Sequence, residues 1–187
     1  MQREIEVKAR ISDPNTLKSQ LFELGCAFSE PKIQDDRVFA VKGGTLEAYL
    51  ANEVFVRIRI ENGTKTILTA KKPIRTSDGL VKIEHETIVE SALELELILA
   101  MMGLMEIVRT KKSRTFAHYQ RFEICIDDIE NLGTFIEVEA LADESEAENL
   151  QVEMFSFLKS LGITDETRVT KGYDILMFEK TLLKASS

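Results

Sequence analysis

Charged and apolar side chains alternate with a period of two along most of this chain. In Arg3-Glu4-Ile5-Glu6-Val7-Lys8-Ala9-Arg10-Ile11, Ile5, Val7 and Ala9 fall on one side, and Glu4, Glu6 and Lys8 on the other. Period two is the signature of a β-strand, whose successive side chains point to opposite faces. The pattern recurs. Arg57 and Arg59 alternate with Val56, Ile58 and Ile60, and Thr69 and Lys71 with Leu68 and Ala70. Lys82, Glu84 and Glu86 alternate with Val81 and Ile83. Lys112 and Arg114 stand two apart, as do Phe116 and His118. Glu123, Cys125 and Asp127 alternate with Phe122, Ile124 and Ile126, and Phe135, Glu137 and Glu139 with Ile136 and Val138. Seven strands are predicted, each with one charged and one largely apolar face.

Helices fill the gaps. Ser12 or Asp13 caps a first helix, with Pro14 in its opening turn, Leu17, Leu21 and Leu24 as its stripe and Gly25 at its end. Ser91 opens a second helix through Leu95, Leu99 and Met102, stopped near Gly103, and the Met101-Met102 pair reads as helix packing. Residues 143–161 and 170–184 give two more, with Ile175, Leu176, Phe178 and Leu182 available for packing in the last. The order lacks the strict strand–helix alternation of a parallel sheet. Short connections such as Glu61-Asn62-Gly63-Thr64 read as hairpins. The expectation is an α+β fold on a mainly antiparallel sheet, in a single domain over residues 1–187.

Composition narrows the function classes. A chain with 44% hydrophobic and 30% charged residues can build a real core. Its net charge, 24 minus 32, is −8, which argues against a general binder of nucleic acid or anionic membrane. No stretch approaches the ~20 apolar residues of a membrane span. Cys26 and Cys125 lack metal-type spacing, and two thiols suit a reducing cytosol, so a cytoplasmic location is expected.

The charged faces carry the chemistry. Glu4, Glu6, Glu84, Glu86, Asp127, Glu137 and Glu139 supply acids. Lys8, Arg57, Arg59, Lys71, Lys82, Lys112 and Arg114 supply bases. A sheet curled with this face inward would make a wet, charged channel. Burying so many ions for stability alone is unfavourable, because desolvation can exceed the Coulomb gain. Lysines and arginines suit a polyanion such as a triphosphate. Clustered carboxylates repel unless a hard cation such as Mg²⁺ or Mn²⁺ joins them. Cation, phosphate and basic side chains together are the apparatus of phosphoryl transfer.

The residues also carry a resemblance. Glu4-x-Glu6-x-Lys8 resembles the ExExK motif of the CYTH family, the triphosphate tunnel metalloenzymes. Gln34-x-Asp36 with Phe39, Arg57-Ile58-Arg59, Leu68-Thr69-Ala70-Lys71, Lys82-x-Glu84, Lys112-x-Arg114 and Ile126-Asp127-Asp128-Ile129 follow in family order. Leu132-Gly133-x-Phe135-x-Glu137-x-Glu139 resembles the family's late acidic strand, and the likeness covers nearly the whole chain. It implies a closed eight-stranded antiparallel β-barrel, the triphosphate tunnel, with flanking helices. It matches Glu4, Glu6, Asp127, Glu137 and Glu139 to acidic positions, some of which hold Mg²⁺ or Mn²⁺. It matches Lys8, Arg57, Arg59, Lys71, Lys112 and Arg114 to triphosphate contacts, and Lys82 to a position where many members carry Arg. Lys8, Lys71, Glu84 and Glu86 are the catalytic candidates.

Two activities dominate that family. Class IV adenylyl cyclases drive the ribose 3′-hydroxyl of ATP onto the α-phosphorus and release pyrophosphate. Thiamine triphosphatases and tripolyphosphatases direct water onto the γ-phosphorus. The Gln34-x-Asp36 segment and the insertion at 41–53 resemble the cyclase-like branch. The expected reaction is therefore that of a lyase on ATP, with a triphosphate hydrolase as the alternative and a silent polyphosphate-binding module as a third reading. The expected partner is a nucleoside, thiamine or inorganic triphosphate, without nucleic acid or membrane, and the sequence is compatible with a homodimer.

Overall fold

The computed structural model describes residues 3–76, 79–143 and 146–185; the side chains of residues 3–4, 73–76, 79–82 and 185 lie outside that description. Eight strands form: β1 (Arg3–Ile11), β2 (Lys32–Ala40), β3 (Phe55–Glu61), β4 (Lys65–Thr76), β5 (Gly79–Val89), β6 (Met105–Tyr119), β7 (Phe122–Ile129) and β8 (Gly133–Ala142). Among the described residues five α-helices accompany them: α1 (Pro14–Glu23), α2 (Leu46–Leu50), α3 (Ala92–Met101), α4 (Ala147–Ser160) and α5 (Tyr173–Ala185). The strands are hydrogen-bonded in the order β1-β8-β7-β6-β2-β3-β4-β5. The pairings β1–β8, β7–β8, β2–β3, β3–β4 and β4–β5 are antiparallel.

The α+β class and the antiparallel sheet agree with the sequence. Closure does not. β1 and β5 are the end strands of the order, and no ladder joins them among the described residues, so the sheet is open rather than a closed barrel. The outer edge of β1 is occupied by another part of the chain. The Val169 N–H donates to the Lys8 carbonyl at 2.9 Å, and Ala9 forms an antiparallel bridge with Arg168. At the other end, β5 carries the exposed charges of Glu84 and Glu86, side chains of the kind that discourage further edge pairing.

The chain divides into two compact units, Met1–Lys32 with Ser113–Lys171, and Ile33–Lys112 with Gly172–Ser187. In the first, the apolar parity of the strands forms the core. Val7, Ala9, Ile11, Ile124, Ile126, Ile136 and Val138 pack with Leu17 and Leu21 of α1 and Leu150, Met154 and Leu158 of α4. Each Val, Leu, Ile or Met side chain among them gains about 1.5–3 kcal/mol on full burial. The Asp13 side chain accepts the Asn15 and Thr16 N–H groups, and Gly25 takes φ 87° just past the helix end.

In the second unit, Ser91 caps α3 by accepting the Glu94 N–H at 3.2 Å. Ala92, Leu95 and Leu99 of α3 pack on Phe39, Val56 and Ile58, the apolar parity of β2 and β3. Met101 and Met102 do not pack. Both are exposed, which corrects the expectation for that pair. Another cluster joins Val38, Phe55 and Val108 to Tyr49 of α2 and Ile175, Phe178 and Leu182 of α5. Val38 shares the parity of Asp36, and Phe55 that of Arg57. Helices α2 and α5 therefore cover one end of the charged face in this unit. Helix α2 lies inside the 41–53 insertion. Thr45 caps it, and the Asn52 side chain ties the loop by bonding the Lys42 N–H and carbonyl at 2.9 and 2.8 Å.

Candidate functional site

Cross-strand register turns the alternating charges into ordered rows. In the first unit Glu6, Glu139 and Glu123 stand opposite one another across β1, β8 and β7. The next row is Lys8, Glu137 and Cys125, and the one after it Arg10, Phe135 and Asp127. Residues directly opposite share a face, and like charges so placed destabilise a sheet. Cations reach all three rows. The Lys8 ammonium lies 2.7 Å from Glu6 and 2.8 Å from Glu137. Arg114 of β6 donates its Nε to Asp127 at 2.6 Å and also bonds the second Asp127 oxygen and Glu137 through Nη2. Asp127 is 0% and Glu137 4% exposed, so these are desolvated pairs. Burial works against both cations, yet the carboxylates outweigh it and hold Lys8 and Arg114 above their ordinary pKa values. The Arg10 guanidinium lies over the Phe135 ring at 4.6 Å and bonds the Leu132 carbonyl, which closes the end of these rows.

The Glu139–Glu123 part of the first row differs. The ligand atoms of Glu123, Cys125 and Glu139 lie within 4.8 Å of one another. The Cys125 thiol bonds Glu123 at 3.9 Å, and burial pushes its pKa up, so sulfur stays protonated. The two glutamates line a cleft of about 370 Å³ with His118, Arg121, Ala140 and Leu141. Two close carboxylates facing an open cleft fit a hard divalent cation.

The second unit holds a different network. Arg59 grips Asp36 through two parallel bonds of 2.6 Å. Asp36 is held below its ordinary pKa: burial opposes ionisation, but the Arg59 bond and the charges of Arg59, Arg57 and Lys112 prevail. Arg57, Thr69 and Glu86 form a row across β3, β4 and β5. Arg57 Nη2 donates to the Thr69 hydroxyl at 3.0 Å, and that hydroxyl donates to Glu86 at 3.1 Å. The ion pairs of Arg57 are long. Asp36 and Glu86 lie 4.0 and 3.6 Å away, and its buried Nε has no hydrogen-bond partner among the described residues. Burial and the Arg59 charge push its pKa down. Lys71 pairs with Glu84 at 2.7 Å. The Lys112 ammonium lies 5.1 Å from the Tyr173 ring centroid at the start of α5. The nearby Tyr49 hydroxyl donates to Asp174 at 2.6 Å, fixing α2 on α5.

The chain matches the CYTH domain family over residues 2–173. It is a CYTH-domain protein. A Methanocaldococcus jannaschii protein named "Putative adenylate cyclase MJ0240" is 30% identical over 171 residues, covering 91% of this chain and 95% of that one. The solved PH1819 protein of Pyrococcus horikoshii has the same fold, with TM-score 0.79 and 23% identity over 95% of this chain and 99% of that one. A Hippeastrum protein, "Putative adenylyl cyclase HpAC1", described as revealing a dominant triphosphatase activity, shares the fold with TM-score 0.64 and 17% identity, covering 97% of this chain and 96% of that one.

Within this CYTH chain the expected site residues fall into the two networks. Glu6, Lys8, Arg114, Asp127, Glu137 and Glu139 belong to the first, and Arg57, Arg59, Lys71, Glu84, Glu86 and Lys112 to the second. The side chains of Glu4 and Lys82 lie outside the described residues, although their backbones sit in β1 and β5. Alternation alone did not single out Glu123 as the neighbour of Glu139, because partnership depends on register. Asp36 was legible only through the resemblance. Its strand is charged on both faces: Asp35 pairs with Arg109 at 2.7 Å, and Arg37 with Glu96, opposite the Asp36 side.

Proposed function

We propose that this CYTH protein is a divalent-metal-dependent enzyme acting on a triphosphate, and that its reaction converts ATP to cyclic AMP and pyrophosphate. The observation that carries this reading is Arg57, a guanidinium beside a second guanidinium with a buried donor left over. A phosphate oxygen would accept that donor and add negative charge beside the two guanidiniums. Arg59, Lys71 and Lys112 extend the same cationic surface for the rest of the polyphosphate. Glu86, held by Thr69, is the proposed acceptor for the ribose 3′-hydroxyl proton, and Glu84 orients Lys71. Basic side chains then stabilise the charge that develops on the departing pyrophosphate.

Glu139 and Glu123 are the proposed cation holders. When bound, Mg²⁺ or Mn²⁺ supplies Lewis-acid stabilisation of phosphoryl oxygens. Asp127 and Glu137, already engaged by Arg114 and Lys8, set the position of the strand residues around them. A second reading, hydrolysis of a triphosphate by water, is supported by the triphosphatase activity described for the Hippeastrum protein of the same fold.

The test is a product screen with ATP, thiamine triphosphate or tripolyphosphate, each with Mg²⁺ or Mn²⁺. Cyclic AMP with pyrophosphate is expected, and chelation should abolish it. Orthophosphate would replace the cyclase by the hydrolase. Tight binding without turnover, or undiminished turnover in EDTA, would overturn the metal-dependent enzyme.

A further inference from the structure

Helix α3 is apolar on both sides, with sequence Ala-Leu-Glu-Leu-Glu-Leu-Ile-Leu-Ala-Met. A helix needs only one stripe to hold it to a core. Here that stripe is Ala92, Leu95 and Leu99. Leu93, Leu97 and Met101 recur at four-residue spacing on the other side, flanked by Ile98 and Met102 and followed by Met105 on β6. These six side chains are between 51% and 89% exposed. Glu94 is the one charged residue among the outward positions of α3, since Glu96 is engaged by Arg37. At these exposures the six leave on the order of 700 Å² accessible, close to the roughly 800 Å² that each partner gives to a standard interface.

We propose that the outer face of α3, continued by Met102 and Met105, is the contact surface for a second copy of this chain. Area and charge favour this occupant. The patch by itself supplies one partner's share of a stable interface. The chain carries a net charge of −8, so two copies meet most favourably where charge is scarce. A two-fold axis across α3 sets Leu97 and Met101 of each copy against the same residues of the other, an isologous arrangement that needs only one kind of surface. The flexible methionines fill the irregular space between two like helices.

Sedimentation equilibrium on the full chain tests this. The expected mass is twice 21.2 kDa, falling to 21.2 kDa in the double variant Leu97→Glu, Met101→Glu, with an unchanged circular dichroism spectrum. Leu183→Glu, at an exposed apolar position on α5, should leave the dimer intact. A monomeric parent chain at all concentrations would overturn the proposal. So would a dimer that survives the double variant, or one that Leu183→Glu dissolves equally. Leu93→Gln, a milder change at the rim, should raise the dimer dissociation constant at least tenfold; no shift there would also count against it.

Discussion

The two units apply the same strand alternation to opposite chemical ends. In the first, five carboxylates (Glu6, Glu123, Asp127, Glu137, Glu139) share a face with the cations Lys8, Arg10 and Arg114. In the second, Arg57, Arg59, Lys71 and Lys112 outnumber Asp36, Glu84 and Glu86. Burial differs within the sets as well as between them, since Asp36 and Lys112 of the second are buried and Glu6 of the first is exposed. Asp127 and Glu137 are almost fully buried, whereas Glu84 and Glu86 sit on the exposed end strand β5. Charge sign follows from which residues the register brings opposite one another, and desolvation follows from what covers each strand. The excess of acid on one face is what the proposed cation site rests on. The excess of base on the other, with the Nε of Arg57 unpaired among the described residues, is what the proposed anion site rests on.

The largest expected effect breaks the contrast in burial. Arg114→Met leaves Asp127 and Glu137 without their guanidinium and should destabilise the protein by about 3–5 kcal/mol, the scale for removing one partner of a buried ion pair. Urea denaturation measures it. A loss below ~1 kcal/mol would mean that these carboxylates are solvated after all.

A second effect sharpens the contrast in charge. Mn²⁺ at about 100 times its dissociation constant should stabilise the parent chain by ~2.7 kcal/mol, seen as a raised Tm. Glu123→Gln with Glu139→Gln should remove that response. Without metal, the same pair should be slightly more stable than the parent, because a like-charge contact is gone. An undiminished Mn²⁺ shift in the double variant would place the cation elsewhere.

The anion side should respond differently. Arg57→Met should weaken tripolyphosphate binding by ~1.5–3 kcal/mol, the scale of a hydrogen bond to a charged group, with little loss of folding stability. Lys18→Met on α1 serves as the control. Equal, small losses at both positions by calorimetry would reduce the second network to a solvated face.

The smallest effect concerns pH. The Asp36 pKa is depressed in the fold, so its contribution is present above the ordinary aspartate value and is lost as pH falls through the folded one. The Lys8 pKa is raised, so its contribution is present below the ordinary lysine value and is lost as pH climbs through the folded one. Asp36→Asn should therefore flatten the acid limb of the stability profile, and Lys8→Met the alkaline limb. Thermal melts across pH that leave each limb unchanged would contradict the assignment.

The sequence by itself determined the strands whose two faces differ, and the helices with an unambiguous start. Asp13 and Ser91 cap where expected, and Val7, Ile58, Ile124 and Val138 lie on the buried side because period two leaves them no other. It was silent where a strand is charged on both faces, as in β2, and where a helix such as α2 is one short turn held by Asn52 and Tyr49. It misled at Met101 and Met102, since hydrophobicity does not say which side of an all-apolar helix finds the core. Pairing was beyond it. That Glu139 meets Glu123, that Arg114 spans Asp127 and Glu137, and that Arg168 and Val169 cover the edge of β1 all depend on register and on chain segments distant in sequence. A local pattern fixes which way a side chain points; only the tertiary structure decides what it points at.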